Sequence, residues 1–404
     1  MVYEHLSRLY HRDEVRWKEE YDRRSSSPMT RRFDFILQEY GHTQAYPAFC
    51  CYTEELALLQ EAIRRDFTIL LGRISRVPRA GIEQFLHTCL VQEIIATNAI
   101  EGVHSTKREI RAAMETTPED RLRMRLGGVV NKYARILQGE EISLHTPADV
   151  RGLFDTFLAD EIRRANPDNL PDGRLFRRSS VDIVSPSQKT IHRGNYPEEE
   201  IVRDMEKALA ILHEEQIPLL HRIAIFHYLF GYIHPFYDGN GRMSRFITTY
   251  FLAREFHPTV ALQLSLLIKK RRTKYYKLFA ETTSAHNCGD LTPFIRGTLR
   301  FIHAAIDYTG EALESRLLQY QRYRDIALDG IGDKTMRGVY DVLLQAAVFS
   351  DIGATVEEIA RTLDRTETTI YAKLKRIPEV HLHQNKSSRP YHYMLRLEEF
   401  SVSL

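Results

Sequence analysis

The sequence predicts a mainly α-helical chain with one β-hairpin inside the helical region and a C-terminal module of two short helices and two strands. Three observations carry this expectation. Apolar residues recur at three- and four-residue steps through much of 53–301, the period of helices with one buried face. Two short β-leaning runs within 181–192 instead flank a Pro/Ser turn. After the Gly- and Asp-rich stretch 329–333 the texture changes again, to short helices followed by strands.

The chain has 404 residues, too many for one ordinary core, so two or three domains are expected. Apolar residues make up 43% and charged residues 27%, the balance of a globular protein in water. A net charge of +2 does not describe a nucleic-acid coat or a membrane binder. The four cysteines, Cys50, Cys51, Cys89 and Cys288, contain no CxxC pair, which argues against a structural zinc site. Reduced cysteines in a cytoplasmic protein are expected. The charged N-terminus has no apolar core of a signal peptide. The most apolar stretch, Leu219 to Phe236, carries His221, Arg222, His227 and His234 and reads as a buried helix with no membrane span.

In chain order, residues 1–52 read as a charged N-terminal segment with a loop or hinge at Arg24 to Pro28. Thr53 can cap a helix running through Leu71. A second helix is expected from Ile82 to Ile100, stopping at Gly102, a residue suited to a helix C-terminus. Helical patterns continue at Lys107–Met114, Leu122–Gln138 and Val150–Phe157. The hairpin pairs Val181-Asp182-Ile183-Val184 with Lys189-Thr190-Ile191-His192. Glu198 opens a helix with Ile201, Met205, Leu209 and Leu212 on one face. The apolar helix after Pro218 should end near His234, because Pro235 disfavours helical geometry in the residue before it. A charged helical connector spans Gly310 to Leu328.

The chemistry concentrates at residues 234–245, His-Pro-Phe-Tyr-Asp-Gly-Asn-Gly-Arg-Met-Ser-Arg. Gly239, Asn240 and Gly241 tolerate unusual backbone angles. Successive N–H groups in such a turn, with the start of the next helix near Arg242, form an anion-binding concavity. Arg242 and Arg245 stand three apart and can reach one anion. Asp238 is a hard-oxygen ligand suited to Mg2+ bridging phosphates. His234 at the rim is the candidate base.

This segment matches HPFx(D/E)GNGRxxR and so resembles the Fic family signature at every fixed position. The resemblance spans roughly residues 55–305. It implies a helical Fic bundle in which the 181–192 hairpin is the flap that aligns a target polypeptide. It further implies transfer of AMP from ATP to a Ser, Thr or Tyr hydroxyl of a target protein, with release of pyrophosphate. His234 would take the hydroxyl proton, and Asp238 would hold Mg2+ against the α- and β-phosphates. Asn240 and the backbone of Gly239 and Gly241 would stabilise the transferred phosphate. Arg242 would hold the leaving phosphates, Arg245 would reach the γ-phosphate, and Tyr275 or Tyr276 would contact adenine. Self-modification is expected, and a homodimer is left open.

Upstream, Thr97-Asn98-Ala99-Ile100-Glu101-Gly102 matches (S/T)xxxE(G/N), similar to the family's inhibitory motif. Thr97 and Glu101 share a helix face. A carboxylate there can pair with Arg245 and occupy the γ-phosphate site. The resemblance also allows such a glutamate to position water for removing AMP, and the sequence leaves the preferred direction open.

From residue 334, a capped helix at Thr355–Leu363, a second at Thr366–Arg376 and strands at Val380–His383 and Tyr391–Leu397 resemble a winged helix-turn-helix. Lys373, Lys375, Arg376, Lys386 and Arg389 can meet phosphates, but acidic residues keep the module's net charge small. DNA contact and protein contact both stay open. The expected domains are therefore an N-terminal segment (1–52), a Fic domain (53–309) with inhibitory helix (about 82–101) and flap (about 181–192), a connector (310–333) and a winged helix (334–404). The competing readings are a DNA-binding regulator whose Fic-like core senses nucleotide, and Fic transfer from another donor such as UTP or CDP-choline.

Overall fold

The computed structural model describes residues 3–184, 190–386 and 390–400. Helices dominate, with a two-stranded hairpin near the N-terminus, a second at 182–193 and a three-stranded sheet near the C-terminus.

The bundle is built around the Leu219–Ile233 helix. Leu220, Ile223, Phe226, Leu229, Phe230 and Ile233 are all buried, because the apolar residues wrap most of its circumference and neighbours cover every side. The Glu198–His213 helix packs on one flank, with Ile201, Met205, Leu209 and Leu212 buried. The Asn240–Glu255 helix packs on another. The Thr292–Leu328 helix closes a third side and runs alongside the Glu54–Ile74 helix, which is capped by Thr53.

Three local expectations are corrected. The Gly310–Leu328 stretch is no separate connector, since one 37-residue helix runs through Gly310. A Cβ there would meet only the Arg73 guanidinium, at 2.5 Å. The expected loop at Arg24–Pro28 is mostly helix, because Glu14–Ser26 is helical and only then turns. The pattern at Leu122–Gln138 becomes helical only from Gly127 to Leu137, with a separate turn of helix at Pro118–Arg121.

The sequence reading also missed the antiparallel hairpin Thr30–Gln38 with Ala45–Cys51. It docks on the bundle through Leu291 N–H to the Phe49 carbonyl at 2.8 Å and Phe49 N–H to the Gly289 carbonyl at 3.0 Å. The N-terminal segment is tied down further by Asp290, fully buried, which accepts from Tyr3 Oη at 2.6 Å and pairs with Arg24 at 3.1 Å.

At the C-terminus the order is helix Lys334–Phe349, strand Ala354–Thr355, helices Val356–Leu363 and Glu367–Leu374, then strands Leu382–Asn385 and His392–Leu395. The last strand is central in the sheet. Ser387, Ser388 and Arg389 of the expected wing lie outside the described residues. This module seats on the Arg79–Ile100 helix. Gln345 accepts the Gly81 N–H at 2.9 Å, Gln84 donates to Glu358 at 3.0 Å, and Lys107 pairs with Asp351 at 2.7 Å.

Candidate active site

The loop between the Leu219–Ile233 and Asn240–Glu255 helices is held by its own sequence. Phe236 is fully buried and stacks on Phe154 with ring centroids 4.0 Å apart. The Asn240 side chain closes the turn, accepting from Phe236 N–H at 3.0 Å and donating to the Phe236 carbonyl at 2.7 Å. That leaves one Asn240 amide hydrogen for another acceptor. Gly239 has φ +85°, and a Cβ there would meet Leu158 at 2.6 Å, so both conformation and packing require glycine. No side chain caps the helix that follows. Its first N–H groups are therefore open to an anion.

His234 ends its helix in the left-handed region, φ 52° and ψ 62°, uncommon for a residue with a Cβ. Its Nδ1 lies 3.3 Å from the Gly231 carbonyl. A carbonyl only accepts, so in the neutral ring Nδ1 carries the hydrogen and Nε2 keeps its lone pair. Burial, reinforced by the nearby His192, pushes the imidazole down to about 4. The ring is thus neutral at pH 7 and able to take a proton.

Arg245 is fully buried and spends its whole guanidinium on one partner segment. Nε donates to Thr97 Oγ1 at 2.8 Å, Nη2 to the Thr97 carbonyl at 3.0 Å, and Nη1 pairs with Glu101 at 2.7 Å. Burial pushes the Glu101 carboxyl up, but Arg245 outweighs it and holds the group below the usual carboxylate range. Gly102, φ +75°, turns the chain away after the helix. A Cβ on Gly241 would collide with the Glu101 carboxylate, so that carboxylate lies directly over the glycine turn.

Arg242 is equally buried and pairs with Glu161 at 2.9 Å, with Asp238 at 3.7 Å. Its Nε has no partner among the described residues, an unmet donor beside the open helix end. Asp238 sits at the rim, its side chain 43% exposed, and one carboxylate oxygen accepts the Gly239 N–H. A single accessible carboxylate next to an anion nest fits Mg2+, which is held by one or two carboxylates plus substrate phosphates.

The two tyrosines separate. Tyr275 is buried, with its hydroxyl 2.8 Å from His227 Nε2, so it is part of the core and not free to meet a base. Tyr276 is 43% exposed and reaches the Ile100 carbonyl at 3.4 Å, beside Glu101. In the hairpin, Asp182–Val184 pairs antiparallel with Thr190–Arg193, and Gly194 N–H bonds the Val181 carbonyl. Ile183 lies opposite His192, and Val184 opposite Thr190. Val184 and Ile191 are exposed apolar side chains. His192 Nε2 lies 2.6 Å from the Tyr232 carbonyl, fastening the hairpin to the helix that ends in His234. The turn Ser185–Lys189 lies outside the described residues.

Sequence reading missed two carboxylates. Glu161, 81 residues before Arg242, has no local signal. Glu93 could have been found, since it repeats at four-residue steps with Thr97 and Glu101. It is fully buried, accepts the Ser265 N–H at 2.8 Å, and burial pushes it up to about 7.

The Fic/DOC family profile matches residues 149–252, which contain the loop, the hairpin and both flanking helices. This stretch is a Fic domain. The chain is 39% identical over 215 residues to the protein adenylyltransferase Fic of Drosophila erecta, and 28% identical over 213 residues to that of Drosophila melanogaster. Each match covers 51% of this chain but only 39% of the relative's own length. A crystal structure of a Fic family protein from Desulfovibrio desulfuricans G20 superposes with TM-score 0.51 at 20% identity, covering 85% of this chain and 96% of that one. That likeness speaks to the fold. Thr97 and Glu101 lie outside the matched Fic stretch, on a helix that reaches into it.

Proposed function

We propose that this chain transfers AMP from ATP to a hydroxyl side chain of a target protein, itself included, and releases pyrophosphate. One observation carries the reading: a neutral imidazole with Nε2 free stands at the rim of an uncapped helix N-terminus. A base beside an anion nest suits attack of a hydroxyl on a phosphate. His234 Nε2 takes the hydroxyl proton as the oxygen bonds to the α-phosphorus. The bond to the bridging oxygen breaks, and pyrophosphate leaves with its electron pair. The N–H groups of Asn240 and Gly241 and the remaining Asn240 amide hydrogen would face the transferred phosphate, while the Gly239 N–H stays on Asp238. Arg242 Nε faces the leaving phosphates. Charge stabilisation by fixed donors supplies most of the effect in such transfers. Asp238 would hold Mg2+, which would supply positive charge beside the phosphates. Tyr276 would meet the adenine, and the exposed Val184 and Ile191 support the hairpin as the strip that aligns the target.

Glu101 acts as a brake. Its carboxylate takes the Arg245 fork and covers Gly241, so ATP must compete with it for the γ-phosphate anchor. The names of the Drosophila relatives support the adenylyl reading for the matched part. The decisive experiment offers labelled ATP, UTP and CDP-choline with Mg2+. AMP label on protein from ATP alone supports the proposal, and label from another donor only would replace it.

For the C-terminal module, DNA contact is a second reading. The exposed Tyr371, Lys375 and Arg376 lie on or just after the second short helix, while Lys373 is spent on Asp333 at 2.6 Å. Salt-dependent binding to duplex DNA in gel shifts would support it, and none at low salt would favour a protein partner. No helix among the described residues is long and apolar enough to cross a membrane. The four cysteines are buried and unpaired, which supports a cytoplasmic setting.

A further inference from the structure

Arg177 is an unusual charge among the described residues. It is fully buried, yet it makes no ion pair among the described residues. A buried cation without a counter-ion is costly, and burial pushes this guanidinium down to about 10. Every donor direction ends instead on a main-chain carbonyl. Nε donates to His234 at 2.9 Å, Nη1 to Ser179 at 2.6 Å, and Nη2 to Asn195 at 2.8 Å with Ile233 at 3.5 Å. The Arg177 N–H adds a bond to the Pro235 carbonyl at 3.3 Å.

These acceptors belong to two strips. One is the end of the central helix, residues 233–235, where His234 holds its left-handed conformation. The other is the stretch on either side of the hairpin, Ser179 before it and Asn195 after it. Gly194 shows how tight the junction is. A Cβ there would meet Arg177 Nη2 at 2.4 Å and His234 Cβ at 2.9 Å. A planar fork is needed to bind carbonyls in three directions at once, and an ammonium has no such geometry.

We propose that Arg177 is a positioning residue for the base, a rivet that fixes the left-handed backbone of His234 and locks the root of the hairpin to it. It touches no substrate and acts through His234. The inference rests on the adenylyl-transfer reading for its effect on rate, but not for its effect on His234. A left-handed residue with a Cβ is held only by its surroundings, and here Arg177 supplies the bond to its carbonyl. Without that bond the peptide 234–235 is free to rotate, and the imidazole loses its aim while the nest at Gly239 to Gly241 keeps its own supports at Phe236 and Asn240.

The test uses the full-length Glu101→Gly protein as parent, with Arg177→Lys or Arg177→Met added. Single-turnover AMP transfer should fall about 100-fold in both, the scale of a misplaced catalytic group. ATP affinity should stay within about twofold, since the lost bond serves the chemical step. Equal loss of ATP affinity and rate, or an unchanged rate, overturns the proposal. The imidazole resonances of His234, assigned by difference from His234→Ala, give a readout that needs no activity. His192, Arg177 and Glu101 face that ring in the unsubstituted protein, so the Glu101→Gly parent leaves His192 and Arg177. In Arg177→Lys the charge is kept, so a moved resonance reports lost geometry, and a resonance superposing on the parent's overturns the proposal. Should the parent label nothing, adenylyl transfer fails as a reading, and the resonance alone decides on Arg177. Should neither Arg177 variant fold, Gly194→Ala presses on the same junction and should show the same rate loss with ATP affinity kept. Undiminished transfer there would overturn the proposal equally.

Discussion

The carboxylate of Glu101 lies where a side chain at position 241 would have to begin, so Gly241 and Glu101 share one space. The same space holds Arg245 Nη1, 3.0 Å from that point. Gly241→Ala should therefore evict the brake without opening the site, because the methyl intrudes on the phosphate cradle itself. ATP affinity should fall roughly tenfold, the loss of about one good charge-assisted hydrogen bond. Self-modification should stay at or below wild type. Activation of Gly241→Ala to the level of Glu101→Gly would show that the glycine turn does not hold phosphate.

Glu101→Gly leaves Arg245 buried beside Thr97 without its carboxylate partner. Removing one partner of a buried pair is destabilising, so the melting temperature without ligand should drop. ATP with Mg2+ should then restore much of the lost ground, as a ligand at 100 times its Kd adds about 2.7 kcal/mol. The ATP-induced rise in melting temperature should be clearly larger for Glu101→Gly than for wild type. Equal rises would mean that Glu101 and ATP do not compete.

Acid should destabilise the fold early. Burial is the first cause that lowers His221 and His234 to about 4 and His227 to about 3. Each is neutral when folded and takes up a proton on unfolding below its ordinary value near 6.5. Stability is thus lost as pH falls from about 6.5 toward 4, by about 1.4 kcal/mol per pH unit for each proton taken up. Glu93 opposes this, since burial raises it to about 7 and its share of stability is lost as pH rises through that value. Three groups against one leave a net loss on acidification. Thermal unfolding from pH 6.5 to 5 should show a falling midpoint, and a flat profile would mean these imidazoles are already charged in the fold.

The seat of the C-terminal module bears on the helix that carries Thr97 and Glu101. Gln84→Ala with Lys107→Ala removes the hydrogen bond to Glu358 and the closer ion pair of Asp351. Self-modification should rise on the order of threefold, the size of a modest coupling between sites, and remain below Glu101→Gly. Unchanged self-modification in a folded double variant would leave the module without influence on the brake.

How much was legible depended on whether the signal was local. The loop 234–245 packs nest, carboxylate, arginines and base into twelve consecutive residues, so its shape follows from Gly239, Pro235 and the flanking helix patterns. The Thr30–Gln38 strand was readable in principle, since Phe33, Phe35 and Leu37 alternate as buried residues. Its charges Arg31, Arg32 and Asp34 masked that period. The 37-residue helix was divided at Gly310 because a glycine can end a helix, whereas the helix runs straight through it. Tyr275 and Tyr276 are adjacent, and only packing tells which one faces His227 and which faces outward. Arg177 and Glu161 carry no signature, because the partners that matter, His234 and Arg242, lie 57 and 81 residues away.

The most direct measurement compares full-length Glu101→Gly with Glu101→Gly/His234→Ala, each incubated with Mg2+ and ATP labelled at the α-phosphate. The account predicts strong label on the first protein and none above background on the second, with both binding ATP equally well. Equal labelling of the two would contradict it, and would remove His234 from the chemistry.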